Sequence, residues 1–231
     1  MDILIDIKGL TKHYPMGNNQ FTALRDINIS FARGEFTGII GPSGSGKTTL
    51  LNIIGTLDVP SEGEVLVLGK SVGKLTPREA ADIRKKSLGF IFQTYNLLPV
   101  YTVYENVEFP LLLLGLTEKE RRKMVMEALE WVGLASKADS RPAQLSGGEC
   151  QRVAIARAMV KKPLLVIADE PTANLDAANS HHILQTMELL NRELGTSFLF
   201  ATHDEKVIGY VRRRVRLDDG RLVADEIVTP K

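Results

Sequence analysis

The spacing of apolar positions changes along the chain, and with it the predicted elements. Near the start Ile3, Ile5 and Ile7 alternate with Leu4 and acids, and Leu24, Ile27, Ile29 and Phe31 alternate with polar residues before an Arg33-Gly34-Glu35 turn. A period of two predicts strands. Glu64-Val65-Leu66-Val67-Leu68, bracketed by Gly63 and Gly69, predicts another. Three later runs, Phe36 to Ile40, Leu164 to Ala168 and Ser197 to Ala201, are apolar almost throughout. Such runs suit strands buried on both faces, as in a parallel sheet flanked by helices. Each stops at distinctive chemistry: a glycine-rich loop, Asp169-Glu170, and Thr202-His203-Asp204. Ligands in open α/β sheets collect at the carboxyl ends of strands, so these three ends are expected to form one site.

Between about Pro99 and Gln144 the period becomes helical. Thr102 with Glu105 and Thr117 with Glu120 have capping-box spacing, and Thr76-Pro77-Arg78-Glu79 adds a proline at the first helical position. The helix after Thr117 is expected to carry Met124, Ala128, Leu129 and Val132 as its apolar residues and to stop at Gly133. This stretch reads as a helical subdomain, about 94–144, inserted into a core made of 1–93 and 145–231.

Composition narrows the class only a little. With 231 residues, 44% of them hydrophobic and 25% charged, the chain suits a globular protein with a sizeable core. A formal net charge of +1 gives no global pull toward nucleic acid, and the single cysteine, Cys150, fits a reducing compartment without a disulfide framework. The run Arg212-Arg213-Arg214 with Arg216 alternates with Val211, Val215 and Leu217, and is expected on a solvated edge strand. No secretory signal is expected at the N-terminus. The most apolar stretch, Phe109 to Leu116, falls far short of the roughly 18–20 residues that span a bilayer.

The glycine-rich loop is Gly41-Pro42-Ser43-Gly44-Ser45-Gly46-Lys47-Thr48, followed by Thr49 and an apolar helix. Glycines let such a loop turn its N–H groups toward a phosphate chain, and the helix start adds its positive dipole end. Lys47 is expected to reach the β- and γ-phosphates and the Thr48 hydroxyl to ligate Mg2+. Asp169 is expected to hold the same metal, and Glu170 to orient the attacking water and accept its proton. Further along, Leu145-Ser146-Gly147-Gly148-Glu149 contains a capping box, so a helix begins there. Its glycine pair costs on the order of 1 kcal/mol per residue relative to alanine. Close approach of an anion to the exposed N–H groups is a reason to keep it.

A phosphate loop, then Leu145–Glu149, then an apolar run ending in Asp169-Glu170, in that order, resembles the ATP-binding cassette (ABC) ATPases, the motor subunits of membrane transporters. The resemblance covers nearly the whole chain. It implies an α/β P-loop NTPase core with a mostly parallel sheet, an N-terminal antiparallel β-subdomain and the helical insert. It implies ATP and Mg2+ as ligands, and a head-to-tail homodimer in which Ser146, Gly147, Gly148 and Glu149 complete the partner's ATP site. By the same resemblance Gln93 contacts metal and water, Asp176 acts at the dimer interface, His203 contacts the γ-phosphate, and Tyr14 stacks on adenine.

Asn52–Asp58, Gly89–Pro99, Glu105-Asn106-Val107 and Phe109-Pro110-Leu111 are similar to the subgroup of lipoprotein-releasing, macrolide-exporting and cell-division cassettes. That implies a membrane partner of few spans with a large extracytoplasmic domain, and a place on the cytoplasmic face of the inner or plasma membrane. Leu113-Leu114 and the Glu149-Cys150 pair depart from the subgroup's pattern; partner choice and plain packing both fit them. Cys150 reads as a packed thiol, with a lowered pKa at a helix start as the alternative. His181-His182 reads as a solvated helix face. Two other classes stay open: a regulatory cassette controlling a cell-wall enzyme or sensor, and a soluble ATPase acting on nucleic acid, which steep salt-dependent binding would mark.

Overall fold

The computed structural model describes residues 2–17 and 19–228. β1 (Ile3–Met16) and β2 (Asn19–Ala32) form the long antiparallel ribbon that the alternation predicts. A register shift between Ile3 and Ile5 buries Leu4 and Ile5 together and leaves Ile3 exposed; bulges are how a strand breaks its own period. β3 (Phe36–Ile40) runs into the glycine-rich loop and α1 (Lys47–Ile54). β4 (Glu62–Val67) and β5 (Lys70–Ser71) return to the ribbon, making an antiparallel sheet in the order β2-β1-β4-β5. α2 (Pro77–Ser87) leads into β6 (Leu88–Ile91), and the helical stretch supplies α3 (Val103–Leu112) and α4 (Glu118–Trp131). α5 (Gly147–Met159), β7 (Leu165–Asp169), α6 (Ala177–Leu194) and β8 (Ser197–Thr202) follow. A short α7 (Glu205–Ile208), β9 (Arg213–Asp218) and β10 (Arg221–Ile227) complete the fold.

The second sheet has the order β10-β9-β3-β8-β7-β6, parallel from β9 to β6, with β10 antiparallel at the edge. The three unbroken apolar runs are its neighbouring central strands β3, β8 and β7. Both faces are covered, which is why those runs do not alternate. Ile39, Leu165, Ile167 and Leu199 pack with α1 and the β1–β2–β4 sheet, while Phe36, Val166, Phe198 and Phe200 pack with α5 and α6 on the other side. Phe36 meets Phe200 edge-on at a centroid distance of 4.7 Å, a geometry that adds about 0.5–1.5 kcal/mol beyond burial.

α2, α3, α4 and α5 each start with both bonds of a capping box, on Thr76, Thr102, Thr117 and Ser146 respectively. Val103, Val107, Leu111, Val125 and Leu129 of the helical stretch share one core with α5 and the sheet. On α4 Val125, Ala128 and Leu129 are buried, and the expected Met124 is only partly covered. Val125, Ala128, Leu129 and Val132 have the i, i+3, i+4, i+7 spacing of one helix face, which Met124 breaks. The expected edge strand for the arginine run is corrected: β9 lies inside the sheet, between β3 and β10. Arg213 is engaged there, bidentate to Asp225 at 2.7 Å for each bond and 3.0 Å from Glu35, which leaves it no charge to offer a nucleic acid backbone. Just past the end of α5, Lys161 donates to the Arg84 carbonyl and Lys162 to Glu127.

Candidate nucleotide site

The carboxyl ends of β3, β7 and β8 open into one cleft of about 540 Å³. Pro42, Ser43, Gly44, Gly46, Lys47, Thr48 and Thr49 line it from the loop and α1, Gln93 from the segment after β6, Asp169 and Glu170 from the end of β7 and the residue after it, and His203 from just past β8. These are the residues that the sequence places at a phosphate site. Gly41 and Ser45 stand behind this wall as part of the loop's frame: the Gly41 carbonyl accepts from Lys47, and Gly220 N–H donates to Ser45 O at 3.2 Å.

The loop's shape depends on Gly46. It caps α1 with φ +99°, and a Cβ there would lie 2.6 Å from the Ala23 carbonyl. Any other residue would be strained and would push the ribbon away. The Lys47 ammonium donates to the carbonyls of Gly41 at 2.8 Å and Pro42 at 2.9 Å, and the residue is only 7% exposed. No carboxylate pairs with it among the described residues. A nearly buried cation held by carbonyls, facing the N–H groups of a helix start, is disposed toward a polyanion.

Thr48 Oγ1 donates to Asp169 Oδ2 at 3.0 Å. Burial raises the Asp169 pKa, partly offset by that hydroxyl; a cation in the cleft would relieve the cost of its charge. Two hard oxygens in contact, with the Gln93 amide in the same wall, form a donor set that suits Mg2+.

Glu170 has φ +46°, in the left-handed region, a setting that a non-glycine residue keeps only when its surroundings fix it. They do so from several sides. Its N–H donates to the Ala201 carbonyl at 2.9 Å, His203 Nδ1 lies 2.6 Å from its Oε1, and Thr202 Oγ1 donates to its Oε2 at 3.2 Å.

Ser146, Gly147, Gly148, Glu149 and Asp176 do not line this cleft. Ser146 accepts from Glu149 N–H, whose carboxylate accepts from Ser146 N–H at 2.9 Å and from Lys137. The lysine, chiefly, holds the Glu149 pKa down at about 2. Gly148 has a reason that the sequence did not reveal: a Cβ there would stand 2.5 Å from Asn179 Oδ1 on α6. Asp176 caps α6 and fixes that asparagine through Asn179 N at 2.8 Å and Nδ2 at 2.7 Å. Three bonds tie this second group to the cleft. Asn174 Nδ2 donates to Gln93 O at 2.9 Å, and Arg157 on α5 donates to the carbonyls of Tyr95 and Asn96, both left-handed residues just after Gln93.

Tyr14 sits beside the cleft. Its hydroxyl donates to Asp58 Oδ2 at 2.7 Å, with Thr49 as a second neighbour, and Lys12 lies over its ring at 4.9 Å. Phe21, opposite Tyr14 in the ribbon's register, lines the cleft with Ala23. The sequence signal for Phe21 was slight: an aromatic residue ahead of the buried run. Burial pushes the Cys150 thiol pKa up, and the Sγ contacts the Pro142 carbonyl, so the packed reading fits and the acidic one does not. His181 bonds Tyr210 and Gln185, and no cluster of metal-binding side chains occurs among the described residues. Of the two leucines that depart from the subgroup's pattern, Leu113 is exposed and Leu114 packs on the core.

This loop, acid pair and capped signature helix on a parallel sheet define an ATP-binding cassette, and the model of the ABC transporter family matches residues 24–173. The chain belongs to that family and is an ATP-binding, ATP-hydrolysing subunit. It is 45% identical to the lipoprotein-releasing system ATP-binding protein LolD of Geobacter metallireducens, over 97% of this chain and all of that one. LolD of Pseudoalteromonas translucida is also 45% identical, over 97% of each chain. Among solved structures, the ATP-binding cassette MJ0796, a dimer in a post-hydrolysis state bound to ADP and Pi, is 41% identical with a TM-score of 0.90, over 98% of this chain and all of that one. The cassette cbiO1 of Clostridium perfringens, part of the cbiONQ transporter complex, is 31% identical with a TM-score of 0.88, over 97% and 88%.

Proposed function

We propose that two copies of this chain clasp two ATP molecules head to tail and drive a membrane partner of the lipoprotein-releasing type, working from the cytoplasmic face of the membrane. The observation that carries this reading is the division of the site residues into two groups. Lys47, Thr48, Asp169, Glu170 and His203 share one cleft, while the Ser146–Glu149 helix start lies outside it. A second copy is the simplest way to bring the two together, and the relative MJ0796 is described as a dimer.

In each site the loop N–H groups and Lys47 hold the phosphate chain, and adenine lies against the ribbon, where Phe21 lines the cleft and Tyr14 adjoins it. Thr48, Asp169 and Gln93 would hold Mg2+, which when bound neutralises charge on the phosphate oxygens. Glu170 takes the proton of the attacking water. His203 steadies that carboxylate through Nδ1, which leaves its other ring nitrogen for the terminal phosphate. Ser146 and the Gly147 and Gly148 N–H groups bind the same phosphate from the partner chain.

No helix among the described residues is long and apolar enough to cross a membrane, so a membrane role needs a partner. Val100, Tyr101, Phe109, Leu112 and Leu113 are exposed around α3, an apolar surface of the kind that partners cover. The likeness to LolD over 97% of the chain supports the lipoprotein-releasing subgroup, and the resemblance to that subgroup implies a partner with few spans and a large extracytoplasmic domain.

The test is capture from detergent extracts of the native cells with tagged Glu170→Gln, ATP and magnesium, followed by mass spectrometry. A few-span protein with a large extracytoplasmic domain is expected. A many-span permease would refute the subgroup, and soluble proteins or nucleic acid alone would refute the transport role.

A further inference from the structure

Gln151 lies on α5 one turn past Ser146, and its side chain is 0% exposed on a stripe shared with Gly148 and Ile155. Its Nε2 donates to the Pro171 carbonyl at 2.6 Å, and its Oε1 has no partner among the described residues. A buried amide with half its capacity unused is a poor choice for packing alone, where Val153, Ala154 and Ile155 serve their neighbours well. What the glutamine adds is one donor aimed at one carbonyl.

That carbonyl belongs to the residue after Glu170, whose backbone is left-handed. The other bonds on residues 170–173 come from β8 and its end, or from within the loop. Ala201 O accepts from Glu170 N–H, Thr172 Oγ1 donates to Asp204 Oδ2 at 2.8 Å, and Ala173 N–H donates to Glu170 O at 3.2 Å. Gln151 ties it to the helix that begins with Ser146.

We propose that Gln151 is a positioning residue that holds Glu170 in its left-handed setting and passes the seating of the signature helix on a phosphate to the water-activating carboxylate of the same chain. This rests on the roles proposed above for Ser146 and Glu170. Because Ser146 reads the partner's nucleotide and Glu170 serves the chain's own, the bond links the two ATP sites of a dimer. A donor lost here misplaces the base without touching the phosphate loop.

The test is Gln151→Leu, which keeps the bulk and removes the donor, with Gln151→Met, unbranched like glutamine, beside it in case the first folds poorly. We expect kcat to fall about tenfold or more, as sub-ångström misplacement of a catalytic group commonly does. Cooperativity in ATP should flatten, and affinity for a fluorescent ATP analogue should hold within about twofold. In the Glu170→Gln background, single-turnover hydrolysis should be insensitive to adding Gln151→Leu. An equal further loss in that background, or unchanged kcat in both variants beside an inactive Glu170→Gln, overturns the proposal alone. Normal turnover in Glu170→Gln overturns the base assignment and this proposal with it.

Discussion

Replacing Gly148 by alanine separates two reasons for a glycine in the signature. The added Cβ would sit 2.5 Å from Asn179 Oδ1 and 2.7 Å from its Cγ, so the asparagine amide must move. Moving it breaks the 2.7 Å bond from Asn179 Nδ2 to Asp176, worth about 1 kcal/mol, and overpacking at a tight contact adds about 1–3 kcal/mol. Alanine's helix preference returns about 1 kcal/mol. The net is a loss of roughly 1–3 kcal/mol. At about 2–4 °C per kcal/mol for a chain of this size, Tm should fall by roughly 2–12 °C. Urea titration and thermal melts of the single variants, Asn179→Ala and the double variant close the cycle. With Asn179 truncated, the remaining Cβ contact is 3.3 Å, so Gly148→Ala should then cost almost nothing. A Gly148→Ala protein as stable as the parent, with ATP turnover lost, would refute the packing argument and leave phosphate approach as the glycine's whole purpose.

Two further outcomes follow from buried polar groups. Asn106, fully buried, accepts from Leu98 N–H at 2.8 Å and donates to the carbonyls of Leu98 and Thr102 at 3.1 and 2.9 Å. Asn106→Ala should cost about 2–4 kcal/mol by stranding those groups, and proteolysis within 98–102 should rise while nucleotide affinity holds. Burial lowers the Lys161 pKa to about 8 from 10.5. From about pH 8 to 10.5 the folded state is therefore neutral there while the unfolded chain still binds the proton, so this residue's contribution to stability rises with pH and is lost as pH falls through 8. The stability of Lys161→Met relative to the parent should drop by about 1–2 kcal/mol between pH 7 and about pH 9.5; a pH-independent difference in urea midpoint would contradict the assignment.

Much of this site could be read from the chain because its parts are local. A phosphate loop needs its glycines in a row, a capping box needs its two residues three apart, and Asp169-Glu170 ends a run buried on both faces. What stayed hidden depends on contacts between distant segments. Gly148 meets Asn179 across two helices, Arg157 clamps residues 95 and 96, and Arg213 finds Glu35 and Asp225. Gln151 did leave a trace, as a polar residue on the buried stripe of α5. The arginine run misled because alternation marks a strand with two different faces and says nothing of its place in the sheet; β10, which covers β9, is itself mostly exposed and patterned weakly.

Light scattering on size-exclusion fractions of Glu170→Gln with and without ATP and magnesium tests the division of the site between two chains most directly. A dimer with ATP, a monomer without it, and a folded, ATP-binding monomer after adding Ser146→Arg are expected. An ATP-bound Glu170→Gln that stays monomeric, or a dimer unaffected by Ser146→Arg, would contradict the head-to-tail site.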